Sequence, residues 1–147
     1  MTLVMAIIHA GLAAAWVGGM AYSLFVVQPK LKKYFGTREE ERETLTAVIA
    51  SGNRYKVLGL IATIAVTGLI LLLLDHRHWW IHAVKALLLL TATAIFWYVS
   101  WRHWPRRVFA TDTERPALQR QLLILATTML AIAGTAFALG VAATRCR

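Results

Sequence analysis

The sequence predicts an all-α integral membrane protein, a four-helix bundle in a single domain. Of its 147 residues, 59% are hydrophobic and 16% are charged, which is far from the balance of soluble domains. Four apolar stretches each approach the ~20 residues that a helix needs to cross the hydrocarbon layer. They lie at approximately 3–27, 57–74, 79–101 and 121–143.

The first span is predicted to be a retained helix rather than a cleaved secretory signal, because no Lys or Arg precedes its apolar run. The connection after it contains "TREEERETLTAVIAS", which predicts a short amphipathic helix at the cytoplasmic surface. Thr37 and Glu40 match a capping box, and Leu45, Val48 and Ile49 form an apolar stripe.

Charge predicts the orientation of the four spans. The net charge is +9, and the basic residues concentrate in the first and third connections, which share one side of an alternating path. By the positive-inside rule this side is cytoplasmic and both termini face outward, so the charge favours a bilayer over nucleic acid as partner. The basic residues are Lys30, Lys32, Lys33, Arg38, Arg42, Arg54, Lys56, Arg102, Arg106, Arg107, Arg115 and Arg120.

The stretch "SWRHWPRR" ends the third span on the same side. Trp101 and Trp104 are expected to form an interfacial belt there, with the arginines facing anionic lipid. The one cysteine, Cys146, permits neither an internal disulfide nor a cysteine metal cluster, and is interpreted as an incidental thiol.

Two histidines are predicted at the same depth near the outer side. His9 lies about two turns from the outer end of the first span, and His82 lies in the first two turns of the third. Ionisable groups within a bilayer are candidates for function because they are costly to insert. Two facing histidines can supply both axial ligands to one haem b. The alternative for His9 is a core histidine hydrogen-bonded to a neighbouring helix.

Three further residues are assigned to this candidate cofactor site. Trp16, seven residues after His9, shares its helix face and extends it with an aromatic wall. Gly68 lies on a face of low bulk, which suits either close helix packing or a flat ligand. Lys85 either extends outward to the interface or supplies a counter-charge to a haem propionate.

A second histidine cluster lies in the short outer connection. His76, His78 and His82 offer imidazole ligands of the kind that copper and zinc accept. The alternative is a solvated loop anchored at the headgroups by Trp79 and Trp80.

Three motifs occur in order along the chain. The first span, "IIHAGLAAAWVGGMAY", carries His9, Trp16 and Gly19; the second, "RYKVLGLIATIAVTGLILLL", carries Arg54 and Gly68; the third opens with "HWWIHAVKALLLL". Together they resemble the first three helices of the CopD-like and HemJ-like superfamily of four-helix membrane proteins. The fourth span lacks the Lys-Pro-Phe ending of HemJ-like chains.

The resemblance implies a haem-binding protein of the bacterial inner membrane, with His9 as an iron ligand and Arg54 and Gly68 at matching cofactor positions. The expected function is electron transfer within the membrane, to or from quinone or as a small subunit of a redox complex. The alternatives are a HemJ-like protoporphyrinogen oxidase, a CopD-like copper-handling protein that uses His76 and His78, and a structural subunit with no cofactor.

Overall fold

The computed structural model describes residues 2–74, 79–111 and 113–145, which are almost entirely helical. Four helices are long and apolar enough to cross a membrane, so the predicted all-α class with four helices of spanning length is confirmed. Their bounds are Leu3–Phe35, Glu39–Leu74, Trp79–Arg107 and Arg115–Ala143.

Two of the spans are interrupted by a π-helical segment and two are continuous. The elements are α1 (Thr2–Tyr22), a π segment (Ser23–Val27), α2 (Gln28–Phe35), α3 (Glu39–Leu74), α4 (Trp79–Tyr98), a second π segment (Val99–His103), α5 (Trp104–Val108) and α6 (Arg115–Arg145).

Each π segment has a proline as its cause. Pro29 and Pro105 each lie two residues after a π segment ends. A proline ring lacks the N–H that would bond to the carbonyl four residues earlier and clashes with that carbonyl. Those carbonyls belong to Phe25 and Trp101, inside the two π segments. A widened turn relieves the clash while the helix continues.

The predicted amphipathic helix is not a separate element. Residues 39–56 form the first turns of α3, which runs without a break from Glu39 to Leu74. The connection before it is only residues 36–38, where Gly36 has a φ of 54° that favours glycine. Glutamates in the first turn of α3 favour helix formation at its positive end.

The helices extend beyond the predicted apolar spans at four places. The first span ends at Phe35 rather than 27, the second begins at Glu39 rather than 57, and the third and fourth extend to Arg107 and back to Arg115. Hydropathy marks the part of a helix that matches the hydrocarbon layer. A helix itself continues through polar sequence until its backbone hydrogen bonding is broken.

A small apolar core joins all four spans. Its buried members are Trp16 from α1, Ile61 and Ile64 from α3, Ala92 from α4 and Ala133 from α6. Most other large apolar side chains are exposed, which suits a lipid environment as apolar as the core itself.

The four spans form a ring in which α1 and α4 are diagonal. Helix α1 packs on α3 and α6, while α4 packs chiefly on α6 and less extensively on α3. Residues of α1 and α4 therefore face each other across the interior of the bundle.

Enlarging the core at Ala92 should destabilise the bundle. Ala92 is 0% exposed, so Ala92→Leu is expected to cost about 1–3 kcal/mol through overpacking. Ala94→Leu, an exposed position on the same helix, should change stability little. Unfolding in detergent measures both variants, and an equal loss at the two positions would contradict this packing.

Candidate functional site

The first predicted site residue, His9, is hydrogen-bonded to α3. Its Nδ1 lies 2.8 Å from Oγ1 of Thr67. The Thr67 hydroxyl donates to the carbonyl oxygen of Thr63 at 2.8 Å, so its oxygen accepts a hydrogen bond from Nδ1–H. This arrangement leaves Nε2 as the nitrogen that carries the lone pair. A histidine with one nitrogen fixed by a hydrogen bond and the other basic is the usual form of a metal-ligating imidazole.

The His9 ring also packs over Gly68. A Cβ atom on Gly68 would lie 3.2 Å from Cε1 of His9, so a larger residue would displace the ring. Of the two interpretations of Gly68, this contact corresponds to close packing. Gly68 offers no free surface to a flat ligand while the imidazole holds this position.

Two further ionisable residues, His82 and Lys85, lie near His9. Both are half-buried on α4 and close enough to the His9 ring to interact with it electrostatically. The Lys85 ammonium packs on α6, with Nζ 3.3 Å from where a Cβ on Gly140 would stand. Lys85 is therefore directed along the α4–α6 contact. We call this group, His9, Thr67, His82 and Lys85, the histidine end of the bundle.

The structure does not bring two of the predicted cofactor residues to His9. Trp16 is 6% exposed in the apolar core, about 10 Å from His9 along the axis of α1. Arg54 precedes Thr67 by thirteen residues on α3, which places it about 20 Å along that helix. Trp16 thus lies in the apolar core next to the histidine end. Arg54 lies at the opposite end of the bundle.

The predicted copper residues are not covered by the structure. His76 and His78 lie outside the described residues, as does Cys146. Within the described ranges, no group of three or more His, Cys, Asp or Glu side chains is placed to hold a metal ion. A bis-histidine haem, which takes two protein ligands, is compatible with that result.

The opposite end of the bundle contains a buried ion-pair network that the sequence interpretation missed. Glu43 Oε1 lies 2.6 Å from Arg107 Nη2 and 3.6 Å from Arg42 Nη2. The side chains of Arg107 and Arg42 are only 6% and 7% exposed. The network joins α3 to α5, and we call this end, with Arg42, Glu43, Arg54, Trp101 and Arg107, the arginine end.

The burial of Arg107 corrects the expectation that the arginines of "SWRHWPRR" face lipid. Arg107 pairs with Glu43 and lies over the Trp104 ring at 5.3 Å. His103 in the same stretch is 1% exposed, and neither of its ring nitrogens has a hydrogen-bond partner among the described residues, although the Leu118 backbone lies nearby. The sequence held one signal of a buried polar face on α3: Arg42 and Thr46 are four residues apart, so they share a face of the helix.

Comparisons with known proteins found no match to this chain among family models, curated proteins or solved structures.

The Glu43–Arg107 pair should stabilise the arginine end. Replacing Glu43 with Gln leaves the buried Arg107 guanidinium without its carboxylate, while Arg42 keeps Glu39 at 3.9 Å; loss of one partner of a buried pair costs about 3 kcal/mol. The matched control is Glu41→Gln, because Glu41 pairs with Arg38 at 3.1 Å with both side chains more than half exposed, and exposed pairs contribute about 0–1 kcal/mol. Equal unfolding free energies for the two variants would contradict the burial of the network.

Proposed function

We propose that this protein binds one haem b between His9 and His82 and transfers electrons within the membrane. The observation that carries the proposal is the hydrogen bond between His9 Nδ1 and Thr67 Oγ1 at 2.8 Å. With the Thr67 hydroxyl bonded to a carbonyl of its own helix, Nδ1–H can donate to Thr67 and Nε2 is left as the basic nitrogen, the kind of axial ligand that haem iron accepts. The bound haem would supply one-electron redox chemistry, and the chain's own residues would supply ligation, burial and charge.

The helix arrangement supports a pair of ligands on opposite faces of one plate. His9 is on α1 and His82 on α4, and these helices are diagonal in the bundle. His82 is also within electrostatic range of His9. Bis-histidine haem proteins hold the cofactor in this way, with ligands projecting inward from facing helices.

The position of Lys85 favours a cofactor that carries carboxylates, as haem does. A lysine turned toward a neighbouring helix, as Lys85 is toward Gly140, brings an ammonium group into the histidine end at an energetic cost. A propionate close to Nζ would offset that cost through a charge-assisted hydrogen bond.

The proposed orientation places the arginine end in the cytoplasm and the histidine end on the outer side of a bacterial inner membrane. Its support is the concentration of basic residues at the arginine end. The haem would then lie in the outer half of the bilayer. We propose quinone, or a redox subunit in the same membrane, as the electron partner, because both reach the haem through the lipid phase.

The competing function is a structural subunit with no cofactor. The observation that favours it is the packing of the His9 ring over Gly68 together with its hydrogen bond to Thr67. These contacts stabilise a buried histidine without any ligand. The absorption spectrum of the purified protein distinguishes the haem protein from the structural subunit.

Detergent-purified protein, expressed with ample haem, should show a Soret band and sharpened visible bands upon dithionite reduction. His9→Ala and His82→Ala should each abolish the bis-histidine spectrum, whereas His103→Gln, which removes a histidine from the other end, should retain it. A colourless wild-type preparation contradicts haem binding, and an intact spectrum in either alanine variant removes that residue from the ligand pair.

Thr67→Val should weaken haem binding without removing an iron ligand. Valine has a similar shape but cannot accept the Nδ1–H bond, and loss of such a supporting hydrogen bond typically lowers metal affinity about 10–100-fold. Thr63→Val is the control, because Thr63 is exposed one turn away and its hydroxyl bonds only to the Gly59 carbonyl. Haem titration into apo-protein measures both, and equal affinities would exclude a role for Thr67.

A further inference from the structure

A cavity at the arginine end lies outside the proposed haem site. It measures about 290 Å³ and is lined by α3 and by the start of α5. Its wall is mainly apolar, with one cation, Arg54, and one hydroxyl, Ser51. The other residues used below are Val48, Trp104 and Pro105.

Arg54 has a hydrogen-bond donor that no group of the described chain satisfies. Its Nε is buried and has no partner, and the guanidinium carbon lies 4.7 Å from the centroid of the Trp101 ring. Glu43, eleven residues earlier on α3, lies about 16 Å away along the helix axis and is bonded to Arg107. A buried charged donor without an acceptor is costly, so an anion beside the half-buried Arg54 guanidinium would stabilise it.

The depth and lining of the cavity indicate which kind of anion fits. Arg54 is followed directly by the apolar run of α3 that begins at Val57, so the cation stands where the hydrocarbon layer meets the headgroups. Ser51 donates its hydroxyl proton to the Val48 carbonyl at 3.0 Å, which leaves Arg54 as the donor toward a ligand. A phosphate suits the planar guanidinium fork, and an acyl chain suits the apolar wall.

We propose that this cavity is a binding site for an anionic phospholipid, with the lipid phosphate accepting hydrogen bonds from Arg54 and an acyl chain lying along Val48 and Pro105. The cation–π contact with Trp101, 4.7 Å from the guanidinium carbon to the ring centroid, helps to position Arg54 before the lipid arrives. The lipid supplies the missing anion and ties α3 to α5 at the membrane surface.

The test uses native mass spectrometry of the full-length protein in a neutral detergent, titrated with phosphatidylglycerol. One lipid should bind more tightly than the rest. Arg54→Gln should weaken that first binding event about tenfold or more, as expected for loss of a charged hydrogen-bond donor. Arg102→Gln, which removes an exposed arginine from the same end, should leave it within about twofold. Equal weakening in both variants, or none in Arg54→Gln, overturns the proposal.

A second variant and a competition arm test the occupant of the cavity. Ser51→Phe places a bulky ring in the cavity at an exposed position and leaves Arg54 intact, so it should also reduce the first binding event even if Arg54→Gln fails to fold. Unaltered binding in Ser51→Phe overturns the assignment to this cavity. Inorganic phosphate at millimolar concentration should not displace the lipid; displacement would assign the Arg54 site to a free phosphate instead. Phosphatidylcholine should bind more weakly, because it carries no net negative charge.

Discussion

The bundle depends on polar contacts at its two ends, because lipid provides little hydrophobic drive for helices to associate. The buried apolar core is small, and most large apolar side chains remain exposed. Each end adds a polar contact between helices: His9 bonds to Thr67 at one end, and Glu43 pairs with Arg107 at the other. Each of these polar groups is at least partly buried, so it must find its partner within the protein or lose stability.

Pro105 influences which side chains the arginine end turns toward α3. Pro105 widens the turn before it, and the π segment from Val99 to His103 carries Trp101 and the buried His103. A turn of altered width changes the directions in which successive side chains project. This stretch presents Trp101 to Arg54, and six residues later α5 directs Arg107 toward Glu43. Without this irregularity, a regular helix would present a different set of side chains to α3.

The two ends differ in the kind of chemistry that they can perform. The histidine end combines two imidazole side chains with one lysine, side-chain types that can supply nitrogen ligands and a partner for carboxylates. The arginine end combines guanidinium groups with indole rings and one glutamate, an arrangement suited to phosphate at a membrane surface. The apolar core around Trp16 and Ile64 separates them.

The sequence alone determined the class, the number of spans and the candidate pair His9 and His82, since long apolar runs and costly polar residues within them are local signals. It did not predict that Thr67 would orient His9, that α3 would begin at Glu39, or that Arg107 would be buried against Glu43. The physical reason is that lipid and protein core are equally apolar, so hydropathy cannot show which face of a spanning helix turns inward. Only the packing of helices whose residues are distant in sequence, fifty-eight apart for His9 and Thr67, decided which polar groups meet.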